Sequence, residues 1–404
     1  MKITLVCHEI PYPPIHGGRI DMWRRIKAFA AQGVELQIIA WWFGTQPTAA
    51  EIVEIHKYAK QVHLIEIKRT ILARIGRISD LGWYPLEVTA RIVKGQNLAA
   101  LQADVETFAP DLIFLDGIHG GVIADRLHKY LNVPIVTRSH NIEHLYYQRI
   151  LKSAVGFKQK LKRYLSVIHL ERYEKDLLKK SALFYDISTD DLHFWQSKGF
   201  TNGRLLSPLI EPEDHHQDKS LSDRLSEVNQ TYDLVFLGNL SLENNVAGII
   251  WFLTEVLPII HEQFPEVTVL IAGLNPIDKI SQICADIRGV TLQTNPVSAA
   301  GIYQSGRVLI NPILTGSGVK IKSIEMLGFQ KPIVSTLEGI SGLPSAIKPY
   351  FKVANDARSF GLLAIEALSM ESNLVIDRQL LEFWFGYQII ETVVSDLKSI
   401  LTSS

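Results

Sequence analysis

Short apolar runs alternate along the chain with longer segments whose apolar residues recur every three or four positions. In the first half, Lys2–Cys7, Glu35–Trp41, Val62–Ile67, Leu112–Leu115, Ile135–Thr137 and Leu183–Ile187 are rich in β-branched and aromatic residues and predict strands. Helical periodicity predicts helices over Arg19–Gln32, Val88–Phe108, Val122–Leu131 and Phe157–Lys180. A strand followed by a covering helix, repeated, predicts parallel sheets with helices on both faces.

The alternation stops between Ser207 and Asp233, where two prolines and many charges replace the apolar pattern and predict a linker. His215 and His216, with Asp214 and Asp218 beside them, raise a metal site against a solvated linker; adjacent histidines do not readily face one ion. A second alternating series follows. "YDLVFLGNL" predicts a strand, Asn244–Phe264 a helix, and "VTVLIAG", "VTLQT", "RVLINP" and "KPIVST" further strands. Glu371–Leu401 reads as helical. The pattern predicts an α/β protein with two Rossmann-like doubly wound units in tandem, with ligands at a cleft between the carboxyl ends of both sheets. The expected boundaries are 1–207 for the first unit, 208–232 for the linker, 233–370 for the second unit and 371–404 for a helical segment returning toward the first.

Composition narrows the class. The 404 residues exceed what one core usually organises, and 47% hydrophobic with 21% charged residues is ordinary for a globular protein. A formal net charge of −1 argues against whole-protein attraction to nucleic acid. Two isolated cysteines, Cys7 and Cys284, make neither a disulfide framework nor a metal knuckle, and the cytoplasm is the expected compartment. The opening "MKITLVCHEIPYPP" reads as a strand and turn rather than a leader. No apolar run approaches the roughly 18–20 residues that span a bilayer.

Three polar clusters follow predicted strands. In "HEIPYPPIHGGRIDMWRR", Gly17 and Gly18 permit close backbone approach and positive φ just before a helix, where free amides favour an anion or a hydroxyl-rich ligand. In "VTRSHNIEH", Arg138, His140, Asn141, Glu143 and His144 gather at a sheet's carboxyl edge, and an imidazole there can exchange a proton or bind a sugar hydroxyl. In "NPILTGSGVKIKSIEML", Gly316 and Gly318 bracket Ser317 before a helix carrying Lys320, Lys322 and Glu325. Lysines there suit an anion, and Glu325 suits two adjacent hydroxyls; the bland reading is a solvated i,i+3 ion pair. Asp116 and His119 in "LDGIHGG" also end a strand and are candidate bases beside His140.

The run from "PILTGSGVKIKSIEML" through "GFQKPIVSTLEGISGL" resembles the donor-site signature of family-4 glycosyltransferases with the GT-B fold. The amino-terminal "PYPPIHGGRIDMWRRIKAFAAQGVEL" is similar to their acceptor-domain opening, and "DLVFLGNLSLENNVAGIIWFLTEVLPII" to the start of their donor domain. The resemblance covers most of the chain and is nearest to bacterial sugar transferases of exopolysaccharide synthesis. It implies a nucleotide-sugar donor, UDP- or GDP-linked, as substrate and a saccharide or lipid-linked saccharide as acceptor. It implies no separate cofactor, no divalent metal, and a retaining transfer. By the same resemblance Glu325 holds the ribose, Gly17 and Gly18 lie beside the donor phosphates, His140 contacts the sugar, and Arg138, Gly238 and Asn239 join the donor side. The sequence departs from the family where Ser317 replaces a sugar-contacting glutamate, and where Asn239 and Asn244 replace a basic pair. Lys320 and Lys322 are the expected substitutes for that pair. The alternatives are a GT-B nucleotide-sugar epimerase and a scaffold that retained the fold without turnover. The basic segment 156–180, with leucines between its lysines, raises peripheral contact with an anionic membrane at the inner face of the cell.

Overall fold

The computed structural model describes residues 1–211, 231–316, 318–370 and 374–403. Most of the expected linker lies outside the described residues, as do His215, His216 and Ser317. The chain divides into two compact units, Met1–Ser207 with Gln388–Ser404, and Pro208–Tyr387.

The first unit is built on seven parallel strands: β1 (Lys2–Cys7), β2 (Glu35–Trp42), β3 (Gln61–Glu66), β4 (Leu112–Asp116), β5 (Ile135–Ser139), β6 (Leu183–Asp186) and β7 (Gly203–Leu205), ordered β3-β2-β1-β4-β5-β6-β7. The central strands are buried on both faces, which is why they read as continuous apolar runs. The strand order reverses between β1 and β4, and such a switch point opens a crevice beyond the strands' carboxyl ends. Register pairs Cys7 with Asp116 and Asp116 with Arg138, so three candidate loops leave the sheet side by side.

Two expected helices are broken. The Val88–Phe108 pattern forms Leu86–Thr89 and Gly95–Phe108, the second helix starting at Gly95 with φ 60. The Phe157–Lys180 pattern forms Phe157–Val167 and Leu170–Lys180, separated by His169 at φ 65. Neither a glycine nor a proline marks the second break. It lets Leu170, Leu177 and Leu178 enter the core, whereas only Ser166 of the preceding helix is buried.

Among the described residues, the second unit has six parallel strands: β8 (Tyr232–Asn239), β9 (Val269–Leu274), β10 (Val290–Thr294), β11 (Gly306–Asn311), β12 (Ile333–Ser335) and β13 (Lys352–Val353), ordered β10-β9-β8-β11-β12-β13. Its switch point falls between β8 and β11. Phe236, Phe252, Ile271 and Phe360 pack one face, and Val235, Leu309, Met326 and Phe385 the other. The helix expected over Asn244–Phe264 runs from Glu243 to Gln263 with a widened π turn at Phe252–Val256. Pro258 lacks an amide hydrogen and its ring crowds the preceding turn, so a local widening there is the natural accommodation.

The helical segment expected over 371–404 is two helices. Arg378–Phe385 belongs to the second unit, burying Leu381 and Phe385. Ile389–Ser403 belongs to the first, burying Ile390, Val393 and Leu397 on one face. Asp396 anchors it there, accepting hydrogen bonds from Tyr185 Oη at 2.9 Å and from Arg204. Among the described residues, no helix is long and apolar enough to cross a membrane.

Candidate functional site

Each unit gathers polar side chains at its switch point. In the first, Asp116 ends β4 with no solvent exposure. One carboxylate oxygen meets His140 Nε2 at 2.6 Å and the other accepts from Arg25. Arg25 also donates to Asp21 at 3.1 Å, one turn earlier on the helix Gly17–Ala31. Arg138, at the end of β5, donates to Asp21 and to the carbonyl of Leu206. Two guanidinium groups and two carboxylates thus interlock beneath the loops. Burial alone would raise the pKa of Asp116, but the Arg25 guanidinium and the His140 hydrogen bond hold its carboxyl well below the usual carboxylate range.

This network sets what His140 can do. Burial pushes its pKa down, against the pull of Asp116, so the neutral imidazole is favoured near pH 7. With Nε2 donating to Asp116, Nδ1 keeps the lone pair and accepts a hydrogen bond or a proton. The ring is 14% exposed, whereas Asp116 and Arg138 are fully buried. Asp116 therefore reaches a ligand only through His140, and Arg138, expected on the donor side, braces the helix Gly17–Ala31 instead. His119 stands near His8 and Tyr147; burial, then the Arg91 charge, drives its pKa well down.

The glycine loop departs from expectation. Gly17 and Gly18 form the first turn of their helix, and neither has positive φ. A Cβ on Gly18 would lie 3.6 Å from the His16 ring, an ordinary contact distance, so a small side chain fits there. The loop is held by Glu9, which meets His16 Nε2 at 3.2 Å, His8 Nε2 at 3.5 Å and Arg19 Nε at 3.1 Å. Burial opposes ionisation of Glu9, but hydrogen bonds from His16 and His8 outweigh it and lower its pKa strongly. The positive φ falls at Gly117 instead, at 82°, where a Cβ would meet His8 Nδ1 at 2.6 Å. Glu9, Asp21 and Arg25 were not singled out from sequence. The available signal was charge at positions of the first helix that its apolar neighbours bury.

In the second unit, the loop after β11 leads through Gly316 and Gly318, both at positive φ, into the helix Ile321–Leu327. Asn311 Nδ2 donates to Ser323 Oγ at 2.8 Å, and Ser323 Oγ to the carbonyl of Gly339 at 2.6 Å. These bonds tie the loop to the one after β12. Lys320 folds back, its ammonium 2.9 Å from both Glu338 Oε1 and the carbonyl of Gly318. Lys322 reaches away from its own helix. Its ammonium lies 2.8 Å from Asn245 Oδ1 and 4.3 Å from the centre of the Phe236 ring. Burial, then repulsion from Lys320, pushes its pKa down to about 7, against the pull of Glu325.

Asn239 and Gly238 end β8 beside this lysine. Asn245 Nδ2 donates to the Asn239 carbonyl at 2.8 Å, and Asn239 Oδ1 accepts from Ser241 N at 2.9 Å. A Cβ on Gly238 would lie 2.9 Å from Phe236, and one on Gly273 would overlap the Gly238 carbonyl at 1.8 Å. Lys322, Asn245 and Asn239 therefore form one connected set, with Glu325 one turn beyond Lys322 on its helix. Glu338 and Asn245 were not foreseen from sequence.

Residues 231–369 match the family model described as Glycosyl transferases group 1. Most of the carboxyl-terminal unit is therefore similar to that family. Across the longer chain, an uncharacterized 44.6 kDa protein in the cps region of Klebsiella pneumoniae is 26% identical over 370 residues, covering 88% of each chain. Sucrose-phosphate synthase from Thermosynechococcus elongatus superposes with a TM-score of 0.64 at 13% identity, covering all of both chains. Anabaena HepE in complex with UDP and glucose superposes with a TM-score of 0.61 at 11% identity, over 98% of this chain and 100% of that one. The two likenesses identify the paired parallel sheets as the GT-B fold.

Proposed function

We propose that this protein is a glycosyl transferase that moves a sugar from a UDP- or GDP-linked donor to a saccharide or lipid-linked saccharide during polysaccharide synthesis. The observation that carries the reading is the Lys322–Asn245–Asn239 set at the carboxyl ends of β8 and β11, inside the matched domain. It brings a cation to the loop after β8, where the side chains at 239 and 244 are neutral. HepE bound to UDP and glucose, and a relative in a cps region, support the choice of nucleotide sugar and of pathway class.

In this reading Lys322, with Lys320 beside it, stabilises the negative charge that grows on the leaving diphosphate. Glu325 accepts hydrogen bonds from the ribose hydroxyls. His140, oriented by Asp116, accepts one from a sugar hydroxyl through Nδ1. The acceptor oxygen bonds to the anomeric carbon from the face on which the bond to the diphosphate breaks, which retains configuration, and the departing phosphate takes the acceptor proton, so neither a dedicated base nor a divalent ion is needed. Contact with the inner face of the membrane through the basic segment 156–180 accompanies a lipid-linked acceptor.

A thermal-shift screen of UDP, GDP and their sugars tests the donor, since ligand binding to the fold raises its stability. Nucleotide-sugar hydrolysis in EDTA, followed by NMR of the anomer released, tests turnover, metal independence and stereochemistry. Binding without turnover of any donor in the presence of acceptors would favour the scaffold reading.

A further inference from the structure

The helix Phe157–Val167 turns its apolar side outward. Phe157, Leu161 and Tyr164, at i, i+4 and i+7, share one face and are 80%, 47% and 53% exposed, while only Ser166 is buried. A second ridge stands nearby. Ile71, Leu72 and Ile75 on the short helix Ile71–Ile75, and Ile78 beyond it, are all more than half exposed, Leu72 by 81%. Single exposed apolar residues are ordinary on a protein surface, but seven concentrated on two neighbouring segments are not.

The ridges adjoin through the helix Leu86–Thr89. It packs against both the turn Ile78–Gly82 and the helix Phe157–Val167, and Ser166 Oγ donates to Glu87 Oε1 at 2.7 Å. Their charge is one-sided. Neither 67–79 nor 144–170 contains an Asp or a Glu, in a chain whose formal net charge is −1. The first stretch carries Lys68, Arg69, Arg74 and Arg77; the second includes Lys158, Lys160, Lys162 and Arg163.

We propose that this face of the amino-terminal unit docks on an anionic phospholipid bilayer, with both apolar ridges entering the headgroup–acyl boundary and the surrounding cations meeting lipid phosphates. Exposed apolar side chains bounded by lysine and arginine suit that interface. A second copy of the chain fits poorly, because a self-complementary contact would bring like charges together. Nucleic acid would leave the apolar ridges without a partner. The inference rests on the membrane-side part of the proposed function and refines it. The docking element is not a continuous 156–180 helix, whose second half buries Leu170, Leu177 and Leu178. It is the first half together with the 71–78 ridge.

The test is sedimentation of the full chain with vesicles of phosphatidylcholine, alone or mixed with phosphatidylglycerol. Binding is expected only with the anionic lipid, falling with added salt. A triple Ile71→Ser, Leu72→Ser, Ile75→Ser variant and a triple Lys158→Glu, Lys160→Glu, Lys162→Glu variant should each weaken it about tenfold or more. Both sets are surface residues, so melting temperature and stabilisation by UDP should stay at parental values. Equal binding to neutral vesicles, no binding at all, or variants that instead dissolve a dimer in analytical ultracentrifugation would overturn the inference. Binding of UDP or GDP without vesicle binding overturns this inference alone; vesicle binding with neither UDP nor GDP bound supports it and overturns the donor reading.

Discussion

Replacing Lys322 by methionine should stabilise the carboxyl-terminal unit and weaken its hold on a nucleotide diphosphate. The exchange keeps an unbranched stem against the Phe236 ring and removes the charge. In the unfolded chain the lysine titrates near 10.5, and in the fold near 7. Between those values the fold binds fewer protons than the unfolded chain, so stability rises with pH across the window and the charged lysine costs most below pH 7. A displacement of that size corresponds to about 5 kcal/mol. Methionine also leaves Asn245 Oδ1 without its donor, a loss of about 1–3 kcal/mol. The expected net gain is about 2 kcal/mol at pH 6, or roughly 4–8 °C in melting temperature for a unit of this size. It should fade as pH rises toward 10.

The same exchange removes the cation expected to meet the diphosphate. A charge-assisted hydrogen bond contributes about 2 kcal/mol net, so the UDP dissociation constant should rise roughly tenfold to a hundredfold. In the parent, a bound diphosphate favours the charged lysine, so binding above pH 7 should take up a proton. Calorimetric melts at pH 6, 8 and 9.5 read the stability. Titration calorimetry in two buffers of different ionisation enthalpy reads affinity and proton uptake. A variant less stable than the parent at pH 6, yet binding UDP equally well, would refute the reasoning; Lys322 would then be a structural cation held by Asn245.

Three other perturbations probe the network and the fold. Asp116→Asn leaves the buried Arg25 without one of its carboxylates and should cost about 3–5 kcal/mol in urea unfolding; a loss under 1 kcal/mol would mean Asp21 alone suffices. Glu143 is buried beside Glu174, and burial, then that neighbour, raises its pKa from 4.5 to about 8. The fold therefore binds more protons than the unfolded chain between those values, and stability falls as pH rises through them. Glu143→Gln should flatten that fall in melts taken from pH 5 to 9, and an unchanged slope would contradict the assignment. Gly248→Ala would place a Cβ 2.3 Å from the Pro312 carbonyl and should destabilise the second unit by about 2 kcal/mol or more in denaturant titration, because two backbones must separate.

The alternation of strand and helix was legible because parallel strands covered on both faces are continuous apolar runs, as β1 and β4 are. The edge strands β7 and β13 were not: they have three and two residues and are largely half-buried, so no apolar run marks them. The break at His169 escaped notice because the helical period continues through it. Only the burial of Leu170 and Leu177 against the sheet explains why the chain turns there.

For the candidate sites, position was readable and partnership was not. Asp116, Arg138 and His140 announce themselves by following strands, since polar residues at a parallel sheet's carboxyl edge have few structural reasons to be there. Yet Arg25, which holds Asp116 ionised and so sets the tautomer of His140, and Asp21, which ties Arg25 to Arg138, lie about ninety residues or more away on a helix that reads as ordinary. Lys322 makes the same point more sharply. Helical spacing sets it beside Glu325 and suggests a solvated ion pair. Strand β11 lies next to β8, so its stem crosses to Phe236 and its ammonium to Asn245, 77 residues upstream. The pKa near 7 is thus a consequence of sheet order rather than of local sequence. A lysine that spacing alone casts as a surface charge becomes a group whose proton is tied to what it binds.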